Sequence, residues 1–261
     1  MTRASALAET RRIAVRSVAP TQPLRWLALG ARDLRRCPLP GLLHGLAALL
    51  FALLLLAVVR DEFWLLAGAF SGFLIVAPIV ATGLYAVSAA LERGERPQLA
   101  TAIRAWFPHD WRLVGFGVLL ALAGTGWVLT SAALITGFAP APVNNPADFL
   151  RIVVLSPSSW LFEVWLLLGG LMAAPMFASS VVAIPLLLDR PVGVATAVYT
   201  SWRVVMDNPL PMALWALLIM LLSALAMLLG LVGLLVVVPV LAHASWHAYR
   251  DLVAPAAATG G

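Results

Sequence analysis

Residues 212–249 run without a single Asp, Glu, Lys or Arg. A soluble fold cannot hide so long a charge-free segment, because much of a folded surface must face solvent. In hydrocarbon the same residues are at home, since a crossing helix needs roughly 20 apolar residues at a rise of about 1.5 Å each. The stretch is too long for one crossing and suits two, and Gly230 with Gly233 marks the place for the turn between them.

Four further apolar runs have the same character: 41–59, 63–91, 113–138 and 160–188. Arg60-Asp61-Glu62 is a tight polar turn, and residues 139–158 hold four prolines and Asn144-Asn145, a loop signal. Composition agrees: 62% of the 261 residues are apolar and only 11% are charged, against about half and about a quarter in soluble domains. The expected fold is all-α and membrane-embedded, with six transmembrane helices in one domain, 24–252. Residues 1–23 are polar, Arg-bearing and broken by Pro20 and Pro23, and are expected to form a disordered cytoplasmic tail. Thr10-Arg11-Arg12 has no apolar run close behind it, so no cleavable signal is expected. Residues 253–261 are expected to be a flexible C-terminal tail.

All 17 basic residues are Arg, and with 12 acids the net charge is +5. On a soluble chain that would suggest nucleic acid. Here the arginines flank apolar runs, so their expected partner is the lipid headgroup region. Counted loop by loop, fifteen fall on the side that holds both termini and two on the other. Positive charge is retained on the cytoplasmic side, so both termini are expected in the cytoplasm. Cys37 is the only cysteine and has no internal disulfide partner.

Three hairpins share a pattern. Pro78-Ile-Val-Ala81-Thr82, Pro175-Met-Phe-Ala178-Ser179 and Pro239-Val-Leu-Ala242-His243 each read Pro-x-x-Ala-polar. Pro38-Leu39-Pro40 and Pro209-Leu210-Pro211 precede spans one and five, which makes Pro40 and Pro211 equivalent. Leu99-Ala-Thr-Ala-Ile matches Val194-Ala-Thr-Ala-Val, and both begin short amphipathic segments. Leu24, Leu27, Ala31 and Leu34 oppose Arg25, Arg32 and Arg36 in a third. Such helices lie in the membrane interface. The expected unit is an interfacial helix, a span, a turn and a proline-bearing span, repeated over 24–93, 97–190 and 191–250.

Three motifs carry a family resemblance: Leu91-Glu-Arg-Gly94-Glu, Pro185-Leu-Leu-Leu-Asp189-Arg190, and Pro239-Val-Leu-Ala-His243-Ala-Ser-Trp246-His247-Ala-Tyr-Arg250. Over residues 24–252 the chain resembles the bacterial DUF2189 family of predicted multi-pass inner-membrane proteins. The resemblance implies six helices and no established activity. Some members bear the label "cytochrome c oxidase subunit I-like". A haem-copper oxidase core needs more spans and histidines spread over several helices; this chain has four histidines, with His109 in a loop.

Catalytic patterns are absent. There is no His-Glu-x-x-His helix, no phosphate loop, no Gly-x-Ser-x-Gly elbow and no cysteine pair, so the chain is expected not to be an enzyme and to need no cofactor. Glu163 opens span four, where a carboxylate suits the helix N-terminus. Asp189 and Asp207 flank Arg190 and Arg203 and are expected to be solvated. Gly41-x-x-x-Gly45 and Gly68-x-x-x-Gly72 allow close helix approach, within the chain or in a homo-oligomer.

The one constellation with chemical reach is His44, His243 and His247. The last two share a helix face, and all three lie near the cytoplasmic ends of spans one and six. They could converge on a metal or haem if those spans meet; otherwise they join Trp246 and Tyr249 in a polar-aromatic interface belt. Three functions are open: a non-enzymatic scaffold, assembly factor or accessory subunit with a membrane-protein partner; a transporter or channel for a small or hydrophobic solute, with a cavity lined by Thr82, Ser179, Ser180 and His243; or a haem or metal protein.

Overall fold

The computed structural model describes residues 13–59, 80–106, 111–156 and 160–255. Ten helices carry the architecture among them: α1 (Gln22–Arg36), α2 (Pro38–Val59), α3 (Val80–Glu92), α4 (Leu99–Trp106), α5 (Trp111–Phe138), α6 (Leu161–Ser180), α7 (Ala183–Asp189), α8 (Val194–Asp207), α9 (Pro209–Leu228) and α10 (Leu234–Leu252). A six-residue π-helical turn, Phe149–Val154, follows the proline-rich loop. The described residues contain no strand, and one isolated antiparallel bridge joins Val15 to Val253.

Four helical stretches are long and apolar enough to cross a membrane: Pro38–Ala57, Trp111–Phe138, Leu161–Asp189 and Pro209–Leu228. These correspond to the first, third, fourth and fifth expected spans. Of the second, α3 is the described half; Pro78, Gly68 and Gly72 lie outside the described residues. The sixth is α10, whose second half carries His243, Ser245, His247, Arg250 and Asp251. The three short segments read as amphipathic are helices α1, α4 and α8, each preceding a membrane-length or apolar helix.

Sequence signals set the boundaries. Pro38, Pro40, Pro209 and Pro211 stand in the first turns of α2 and α9, where a missing N–H costs nothing. Gly94, at φ +75°, closes α3. There Glu95 N–H reaches back to the Ala90 carbonyl at 3.0 Å, the left-handed C-terminal cap that glycine favours. The long apolar stretch breaks where expected, with Gly230 and Leu231 both at positive φ between α9 and α10. Pro175 and Pro239 sit inside α6 and α10.

The last helix organises the bundle. α10 packs along α1 and α2 and also touches α7 and α9. Its approach is close enough to require glycine. A Cβ on Gly45 would stand 2.4 Å from the Leu235 carbonyl oxygen, and one on Gly30 would stand 2.5 Å from that of Val240. The Gly41/Gly45 face is therefore used inside the chain, against α10. Beside it lies the main core, where fully buried Trp26 meets Trp215 edge-on with ring centroids 5.7 Å apart.

Two expectations need correction. Residues 13–18, read as tail, are docked: Arg16 N–H donates to Leu252 O at 2.8 Å, Ala254 N–H to Ala14 O at 3.0 Å, and Val18 N–H to Asn208 Oδ1 at 2.9 Å. The reason is backbone pairing across the bridge, which no side-chain pattern announces. Trp246 and Tyr249, offered as part of an interface belt, are instead 3% and 0% exposed and packed in the protein core.

Candidate functional site

The three motifs that carried the resemblance meet at the C-terminal half of α10. Glu92, from the first, accepts from Trp246 Nε1 at 3.2 Å and from Arg250 Nε at 3.1 Å. Asp189, from the second, accepts from the Tyr249 hydroxyl while staying exposed to solvent, as expected. The third motif is α10 itself. Asp251, one residue further on, accepts from Gln22 Nε2 at 2.6 Å and Trp26 Nε1 at 2.8 Å. Thus α10 is fastened by side chains to α1, α3 and α7.

The centre of this clasp is buried. Asp33 is only 4% exposed, and its Oδ2 receives His247 Nε2 at 2.7 Å and the Ser88 hydroxyl at 2.8 Å. Burial pushes the Asp33 carboxyl up, but the hydrogen bonds from His247 and Ser88 outweigh it and hold the carboxyl below its ordinary value. Ser88 Oγ also lies 2.7 Å from His243 Nδ1. The hydroxyl has one proton, and it goes to Asp33; the imidazole must then donate through Nδ1. In that tautomer the neutral ring keeps its lone pair on Nε2, which is buried without a hydrogen-bond partner.

The histidines are gathered at one end, and each turns to different protein groups. Helices α2 and α10, the first and last of the expected spans, do meet, as convergence requires. But His44 turns to carbonyls, with Nδ1 2.6 Å from Pro40 O and Nε2 3.1 Å from Val80 O. His247 goes to Asp33 and His243 to Ser88. Among the described residues no group of three His, Cys, Asp or Glu is placed to hold a metal ion. His109 lies outside them.

The expected cavity residues also separate. A groove of about 380 Å³ opens between α5, α6 and α8, lined by Phe116, Leu120, Leu171, Pro175, Ser179 and Val198 among others. Of the four residues named for a cavity, only Ser179 lines it. Thr82 is buried and donates to Ala105 O at 3.0 Å, Ser180 bonds Met176 O on its own helix at 2.8 Å, and His243 belongs to the clasp. Glu163 stands exposed in the first turn of α6.

Sequence reasoning missed Asp33, Ser88 and Asp251. One signal could have found the first. Asp33 is the only acid in an Arg-rich helix, and it shares the face of Trp26 and Gly30 rather than that of Arg25, Arg32 and Arg36. Ser88 has no such mark, because its partners arrive from positions 55 and 155 residues away.

Helices of membrane length whose apolar side chains remain largely exposed, such as Leu54, Leu122, Leu167 and Met220, define an integral membrane protein. Residues 65–189 match the family DUF2189, described as a predicted integral membrane protein. The match covers Ser88, Glu92 and Asp189 of the clasp, and leaves α1 and α10 outside its limits. No curated protein and no solved structure matches the chain.

Proposed function

We propose that the chain is a six-span inner-membrane protein with both termini in the cytoplasm, acting without catalysis as a scaffold, assembly factor or accessory subunit. The observation that carries this reading is how the polar side chains of α10 are used. His243, Trp246, His247, Tyr249, Arg250 and Asp251 all bond other elements of the same chain. They stabilise one arrangement of helices rather than face a substrate.

The span count draws support from the Val15–Val253 bridge. Paired residues lie on one side of the membrane, so the chain between them crosses an even number of times. Four membrane-length stretches, the 63–91 segment and α10 make six. The threefold repeat draws support from a recurring bond. Thr82 reaches Ala105 of α4, and Ser179 accepts from Trp202 of α8 at 2.9 Å; each bond spans 23 positions. The third unit has no such helix after it, and α1 packs on α10 in that place.

The apolar groove beside Pro175 favours a second reading, carriage of a hydrophobic solute. Affinity purification of the native protein from mild detergent separates the two. The scaffold reading expects a membrane-protein partner in fixed proportion. Recovery of the chain alone, with saturable solute flux in proteoliposomes, would reject it.

A further inference from the structure

Helix α1 has three sectors. Trp26, Gly30, Asp33 and Leu34 form the packed one, which fixes how the helix is rotated against α10. Leu24, 52% exposed, marks an apolar sector open to the surroundings, continued by Leu39, 57% exposed, where α2 begins. Arg25, Arg32 and Arg36 make the third. Their spacings of 7 and 4 return them to one side of a helix within about 40°, in a row about 16 Å long. All three are exposed, and none has an ion pair among the described residues. The one acid on the helix, Asp33, is turned away into the clasp. Arg36 stands two residues before α2, at the level where a membrane span starts.

We propose that this row binds the phosphodiester headgroups of anionic phospholipids in the leaflet that α1 faces. The charge is complementary, and the exposed leucines beside the row fit the acyl region just beneath those headgroups. The proposal rests on the membrane placement argued above and concerns its cytoplasmic leaflet. Because α1 is clamped to α10, lipid held there is held against the element that organises the bundle.

The test uses the full chain reconstituted in nanodiscs of phosphatidylcholine with increasing phosphatidylglycerol. Two quantities are read: phosphatidylglycerol retained per protein after detergent extraction, and the thermal unfolding midpoint. The wild type should retain the anionic lipid and unfold at higher temperature as its fraction rises. Arg25→Gln, Arg32→Gln and Arg36→Gln should each weaken retention about fivefold, the triple variant should abolish both effects, and the triple Lys variant should keep them. Should the triple Gln variant fail to fold, the single variants decide. Arg151→Gln, on the proline-rich loop, should change nothing. Retention unaltered in the Gln variants overturns the proposal, and so does an equal stabilisation by inorganic phosphate. A misplaced C-terminus in a topology assay would instead strike the six-span reading itself, so the two failures are distinguishable.

Discussion

Asp33 and His247 stand 214 positions apart in the chain and 2.7 Å apart in the folded protein. Their contact joins α1 to α10, and with Ser88 and His243 it makes the buried centre of the clasp. A carboxylate in such a place is retained only because several donors meet it.

Removing it should therefore be costly. Asp33→Ala leaves His247 and Ser88 without their acceptor and is expected to lower stability by about 3 kcal/mol. Denaturant unfolding in detergent micelles measures this. A change near zero would mean that the clasp does not hold the bundle.

Acid should act through the same group. Its folded-state carboxyl lies below the ordinary value of 3.8, so its contribution is complete above that value and is lost as pH falls through the lowered one. Unfolding midpoints followed from neutral pH to about pH 2 should drop for the wild type. Asp33→Asn, already deprived of the charge, should show a shallower fall.

The serine that links Asp33 to His243 is fully buried, whereas Ser179 bonds a half-exposed tryptophan. Ser88→Ala should cost about 1–3 kcal/mol, the penalty for a buried group left unpaired. Ser179→Ala should cost clearly less. Equal losses in thermal stability would contradict the ranking.

Glycine scanning separates contact from helix propensity. Gly45→Ala places a methyl 2.4 Å from the Leu235 carbonyl oxygen and should destabilise by about 1–3 kcal/mol. Gly115→Ala, in α5, meets nothing within 4 Å and should be neutral or stabilising by up to about 1 kcal/mol. If α10 packs as described, thermal unfolding of the two variants in one detergent shows a clear loss for Gly45→Ala and none for Gly115→Ala.

Much of the fold was written in local pattern. The helical class, the break at Gly230 and the three amphipathic segments follow from the period and length of apolar runs, which need no knowledge of neighbours. The clasp was only half legible. His243, His247 and His44 stood out because ionisable groups are rare in apolar helices, but their partners did not. Val80 and Pro40 offer backbone carbonyls to His44, and a carbonyl leaves no trace in residue identity. Ser88 and Asp33 were brought in by packing between distant segments, as was the docking of residues 13–18. Trp246 and Tyr249 were misplaced because aromatic residues near a span end suit a headgroup belt and a protein core equally well.

The architecture on which the proposed function stands is tested most directly by the side of the membrane each loop occupies. Reporter fusions after Pro20, Ala102, Thr200 and Ala258 should all report cytoplasm, and fusions at Asp61 and Asn145 should report periplasm. A periplasmic signal from Ala258 would contradict six crossings and the shared side of Val15 and Val253 together.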